Sequence, residues 1–208
     1  MFQKPRTAKR LFFDVIPKAV DEYFSFLSAF GRQDAPARLS NPVWHIHNGN
    51  PPSETSPVSF ALLLNLVSVA NAETRDQLWG YISRYAPGAS ADTHPLLDQL
   101  ASYAMEYYRD FVEPTKSYRA PDDQERAAMA DLAGRLRAWD APVDQGELQT
   151  LVFTVGKEHA FENLRGWFQA LYEVLLGQSQ GPRFGGFIAL YGVDETAQLI
   201  EDALARSD

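Results

Sequence analysis

Along most of this chain apolar residues recur at steps of three and four, the spacing of one helix face, and not at the steps of two that mark a strand. Residues 8–30 predict a first helix, entered again near Pro17, with Gly31 placed to end it. Pro36, Pro42, Pro51, Pro52 and Pro57, with Gly31 and Gly49, then predict a long loop over 31–57, holding at most a short extended piece at 43–47. Ser56-Pro57 has the form of an N-cap followed by proline at the first helical position. Behind it, an apolar helix is expected over 58–71. Its Leu62, Leu63, Leu64, Leu66 and Val67 leave no polar side, which predicts a central place. A helix over 73–85 stops at Pro87-Gly88. Leu96, Leu100, Tyr103, Tyr107 and Phe111 form the next stripe, which Pro114 bends or ends. Pro121-Asp122 starts a polar helix that runs through Ala138, and Ala141-Pro142 breaks it.

The last third is denser. Asp144 and Glu147 have capping-box spacing, and Leu148, Leu151, Val152 and Val155 share a face behind them. Phe161, Leu164, Phe168, Leu171 and Leu175 mark a second helix, ended by Gly177. Gln178-Ser179-Gln180-Gly181 is a polar turn, after which Gly181-Pro182 opens a short helix carrying Phe187, Ile188 and Tyr191. Gly192 closes that helix, and Val193, Ala197, Ile200 and Leu204 form the last stripe. No strand and no fixed-period repeat stands out. The expected class is all-α, with a subdomain boundary near 140–143.

Composition narrows the function. The 208 residues are 45% hydrophobic and 22% charged, as in an ordinary globular protein. No apolar run approaches the roughly 20 residues that span a bilayer, so no membrane partner is expected. The absence of cysteine removes disulfides, thiolate metal sites and a cysteine nucleophile, and suits a reducing cytoplasm. The net charge of −8 speaks against a wholly basic nucleic-acid surface. The charge is uneven, however. Residues 1–18 hold Lys4, Arg6, Lys9, Arg10 and Lys18 against Asp14 alone, whereas 143–208 hold 4 basic and 10 acidic residues. A polyanion would meet local basic points on an acidic body. The N-terminal cluster reads equally as a solvated helix face.

Candidate chemistry is sparse. His45 and His47, at i and i+2 on an extended piece, would point the same way and share a metal, but no third ligand stands near them, and a structural pair is the plainer reading. No nucleotide-binding glycine loop and no Gly-x-Ser-x-Gly elbow occurs. Asp122-Asp123 and Glu201-Asp202 are explained by capping and solvation. Catalytic residues and a metal site are therefore not expected. The unusual stretch is the turn into Arg183 and Phe184. A cation in the first turn of a helix is not favoured by the helix dipole, which suggests another use. Arg183 and Phe184 together would offer a guanidinium plane and a ring to an unstacked base; alternatively Phe184 is core and Arg183 pairs with an acidic neighbour. Trp167 is either core edge or a stacking platform. Lys157 and Arg165 are the only basic residues between 143 and 182.

Several segments carry a family resemblance. The run from Phe2 to Pro17, Asn41-Pro42-Val43-Trp44-His45-Ile46-His47, the helix at 60–71, Phe161-Glu162-Asn163-Leu164-Arg165, and the stretch from Leu171 to Phe184 resemble the part of bacterial-type class I lysyl-tRNA synthetases just downstream of the KMSKS loop. The resemblance implies a helical bundle followed by a C-terminal α-helical cage of the anticodon-binding type. It divides the chain into a stem-contact-like helix and Pro-rich loop (1–57), a helical bundle (58–142) and an anticodon-binding subdomain (143–208). It also implies that the catalytic domain, which uses ATP with magnesium and lysine, lies upstream of Met1. This stretch alone would then hold no cofactor and be inactive. The implied partners are lysine tRNA, through its anticodon and inner corner, and the protein's own catalytic domain. Arg183, Phe184, Lys157, Arg165, Trp167, Arg6, Lys9 and Arg10 are the expected tRNA contacts. The rival expectation is a stand-alone acidic helical module that binds other proteins.

Overall fold

The computed structural model describes residues 12–70, 72 and 74–206. Among them every regular element is helical and none is a strand, which bears out the all-α expectation. The chain divides into two compact units, one ending at Thr55 and the other beginning at Ser56.

The first unit contains α1 (Ile16–Phe30), α2 (Ala35–Ser40) and α3 (Pro42–Ile46). Each carries proline near its start, where the missing N–H is no loss. The expected extended piece at 43–47 is therefore a helical turn. Asn41 is the reason: its side chain accepts from the Val43 N–H at 2.9 Å and so caps α3. Its amide nitrogen also donates to the Phe26 carbonyl and to Gln33 Oε1, both at 3.0 Å, which ties α3 to the end of α1. On this turn the two histidines part company. His45 Nε2 bonds the Leu39 carbonyl oxygen at 2.9 Å, and His47 Nε2 bonds the Tyr23 hydroxyl at 2.8 Å.

The second unit contains α4 (Phe60–Ala70), α5 (Arg75–Tyr85), α6 (Pro95–Tyr107), α7 (Asp123–Arg137), α8 (Gln145–Glu158), α9 (Leu164–Leu175), α10 (Phe184–Tyr191) and α11 (Val193–Ala205). Residues 58–142 and 143–208 both lie within it. α4 is central as its pattern implies: Phe60, Leu62, Leu63, Leu64, Leu66 and Val67 are all buried, and it packs on both α6 and α10. Its cap is Ser59, whose hydroxyl accepts from the Leu62 N–H at 3.2 Å. The expected cap, Ser56, closes a turn one step earlier by donating to the Val58 carbonyl at 2.6 Å.

On α6 the core face is Leu97, Leu100, Ala101 and Ala104. Tyr103 and Phe111 lie off that face, 57% and 40% exposed, whereas Tyr107 packs edge-on against Phe60 of α4. The small side chains of Ala101 and Ala104 are fully buried on the core face. Beyond α6 a wider π-type turn, Tyr108–Val112, leads into Pro114.

α7 is fixed by a capping box between Asp122 and Glu125. α8 starts at Asp144, which accepts from the Gly146 and Glu147 N–H groups. α10 sits directly on α8 because Gly185 presents no side chain. A Cβ there would lie 2.7 Å from the Gln149 Cα, and the Gly185 N–H donates to Gln149 Oε1 at 2.9 Å. The close helix pair puts the start of α10, and the turn before it, beside the end of α9.

Candidate nucleic-acid interface

Cations show where an anion can bind, unless a partner within the protein already occupies them. Every lysine and arginine from Lys18 to Arg137 has a side-chain partner. Lys157, Arg165, Arg183 and Arg206 have none among the described residues, although the same stretch is rich in acid. All four are exposed. Three of them are sequence-predicted contacts.

Only Arg165 of these three lines a cleft, and Arg183 follows in sequence the turn that forms one side of it. Arg165 lies in the first turn of α9, behind the Asn163 cap that accepts from the Gly166 N–H at 2.8 Å. It lines a cleft of about 360 Å³ together with Phe168, Gln169, Tyr172, Ser179, Gln180 and Gly181. Arg183 follows two residues after that lining. α10 begins at Phe184, so Arg183 is at the N-cap position and not inside the first turn as the sequence implied. A guanidinium has no acceptor with which to cap the free N–H groups, and its side chain makes no cap bond. The positive ends of α9 and α10 thus each carry an unpaired arginine, and the one on α9 lines the cleft. Lys157 is exposed in the last turn of α8 and does not line that cleft.

The turn is held against α9 by Tyr172. Its hydroxyl donates to the Pro182 carbonyl, and burial pushes the phenol well above its usual range. Gly181 runs so close to the Tyr172 ring that a Cβ would collide with it. Gly177, at φ +67°, makes the turn out of α9, a conformation that suits glycine, and its carbonyl accepts from the Ser117 N–H at 2.9 Å.

The two expected stacking rings are corrected by their burial. Phe184 and Trp167 are both 0% exposed. Phe184 packs edge-on against Tyr172, with centroids 5.7 Å apart, and against Phe187 at 5.3 Å. Trp167 fills the space left by Gly156 and donates its indole N–H to the Val152 carbonyl at 2.9 Å. Neither offers a face to a base; Phe184 backs the cleft-lining Tyr172 from the core, and Trp167 packs α9 on α8. The expected stripe of Phe161, Leu164, Phe168, Leu171 and Leu175 leaves Trp167 out, whereas the buried face of α9 runs through Trp167, Ala170, Leu171, Val174 and Leu175. Arg6, Lys9 and Arg10 lie outside the described residues.

Gln169 escaped the sequence reasoning. It is one helical turn beyond Arg165, a spacing visible in the sequence. Its amide nitrogen donates to Glu173 Oε1 at 2.6 Å. Glu173 Oε2 in turn takes the Arg119 Nε at 2.6 Å, and Arg119 also grips both oxygens of Glu125. Arg119, and after it Gln169, hold the Glu173 carboxyl below the usual carboxylate range.

Over 205 residues, 99% of its length, the chain is 58% identical to the lysine–tRNA ligase of Roseobacter denitrificans. The chain is homologous to one part of the lysine–tRNA ligases. It is 47% identical to the lysine–tRNA ligase of Rickettsia bellii and 46% identical to that of Rickettsia felis, each over 206 residues and 98% of the chain. It spans about 40% of the length of these curated relatives. No protein-family model matches it. Among the described residues no group of three or more potential ligands is placed to hold a metal ion, and no helix is long and apolar enough to cross a membrane. The free cations and the polar cleft therefore belong to a region shared with enzymes named for a tRNA substrate.

Proposed function

We propose that this chain is the anticodon-recognition region of a class I lysine–tRNA ligase, from the portion that follows the KMSKS loop, and that the cleft between α9 and the turn at 179–181 takes an anticodon base. The carrying observation is the unpaired Arg165 in that polar cleft, with Arg183 two residues beyond its lining, in a chain whose described lysines and arginines from Lys18 to Arg137 are all engaged. Anticodon bases are unstacked, so their edges are open to side chains. Arg165 and Arg183 approach the phosphates, and Lys157 adds charge on the same third of the chain. The acidic body keeps non-specific RNA binding weak and leaves selection to these points. In the whole ligase, residues outside this chain would bind ATP, magnesium and lysine and carry out lysine activation and transfer, in the cytoplasm. Arg6, Lys9 and Arg10 are proposed to touch the inner corner of the tRNA. The similarity to part of a longer ligase supports this reading over that of an independent interaction module.

The experiment is a titration of the protein with lysine tRNA and with its anticodon stem-loop. Weak binding that falls when anticodon uridines are replaced, and falls with salt, is the expected result. Equal affinity for an unrelated anticodon would remove the reading.

A further inference from the structure

The cleft has a chemical polarity, which comes from the pair behind it. A side-chain amide presents either its NH₂ or its carbonyl, and nothing in Gln169 itself decides which. Glu173 decides it. An ionised carboxylate only accepts hydrogen bonds, and Arg119 keeps this one ionised and in place, 2.6 Å from Nε to Oε2. The Gln169 amide nitrogen must therefore turn to Glu173 Oε1, and its carbonyl oxygen is left without a partner among the described residues. Gln169 lines the cleft. Arg165, which can only donate, lines it too, as do Ser179 and Gln180, which carry further donors.

We propose that Glu173 is a positioning residue that locks Gln169 as an acceptor, so that the cleft selects a nucleobase presenting a ring N–H flanked by carbonyls, the edge of uridine. The proposal rests on the anticodon reading above. Uridine offers acceptor, donor, acceptor along this edge. Cytidine replaces the central N–H with a lone pair, which faces the locked Gln169 carbonyl unfavourably. Gln169 is exposed in the free protein; once a base covers it, an acceptor opposed to a lone pair forfeits a hydrogen bond and is cut off from water, which corresponds to about a tenfold loss of affinity.

The test measures binding of this chain to a lysine anticodon stem-loop with three uridines and to three versions with cytidine at one position each. Unaltered protein is expected to disfavour cytidine about tenfold at one position. In Glu173→Gln the residue behind Gln169 both donates and accepts, Gln169 is free to turn, and cytidine binding at that position should rise in absolute terms. A variant that is merely damaged cannot gain affinity. Gln169→Leu keeps the Arg119–Glu173 pair and should lose the discrimination altogether. Protein that ignores the anticodon overturns the anticodon reading. Protein that reads the anticodon, with an unchanged uridine-to-cytidine ratio in both variants, overturns the role of Glu173 and Gln169 alone.

Discussion

The stretch from Lys18 to Arg137 and the stretch from Lys157 to Arg206 use their cations in opposite ways. In the first, arginines are structural. Arg119 joins α9 to the start of α7 through Glu173 and Glu125, Arg135 bridges Asp131 and Glu158, and Arg137 reaches Glu201 on α11. In the second, with acid in excess, no described cation is paired. A protein can neutralise a charge internally or leave it free, and the difference separates the cations that hold the fold from those with no internal role.

This contrast can be broken by substitution. Trp167→Ala should have the largest effect, a loss of about 3–5 kcal/mol of folding stability read by urea unfolding, because it empties a fully buried site. Trp167→Phe should lose about 1 kcal/mol with the indole bond to Val152 and leave RNA affinity unchanged; a large RNA defect in stably folded Trp167→Phe would restore the ring to the binding surface. Gly185→Ala comes next, at about 1–3 kcal/mol, because the added methyl pushes α10 off the α8 backbone. Arg119→Ala follows at about 1–2 kcal/mol, an amount reduced by the guanidinium's 40% exposure. Arg183→Ala should change stability by less than about 0.5 kcal/mol. Its effect belongs in the RNA titration, where the slope of log affinity against log salt should fall by about 0.7. Unfolding by Arg183→Ala would place that residue with the structural arginines.

A smaller effect is expected with pH. Glu173 and Asp131 are held below the usual carboxylate range in the folded protein, each chiefly by an arginine hydrogen bond, Arg119 and Arg135 respectively. A carboxyl depressed by folding stabilises fully above its unfolded value of about 4 and loses that contribution as pH falls through the folded value. Unfolding midpoints should therefore drop below about pH 4, and Arg119→Ala should flatten that drop.

Helix positions and their stops were readable in the sequence because they depend on local signals: Asp122 with Glu125, Asp144, Gly177 and Gly192 act within a turn of where they stand. The free cations were readable as residue types at Lys157, Arg165 and Arg183. Faces were harder. α6 buries Ala101 and Ala104 in preference to Tyr103, because the face that packs is chosen by the neighbouring helices and not by α6 alone. The extended form expected for 43–47 failed because a single side chain, Asn41, makes bonds to residues of α1 as well as to Val43.

What the sequence by itself determined is the helical class, the order of the elements and the basic points of the last third, all set by spacing and by short-range capping chemistry. Only the tertiary structure decided that Trp167 and Phe184 are core and not platforms, and that Arg165 and Gln169 meet Ser179 and Gln180 across one cleft. Burial and the direction of a side-chain amide depend on neighbours far away along the chain. Arg119 is an instance: it acts on Gln169 only because folding carries Glu173 between them.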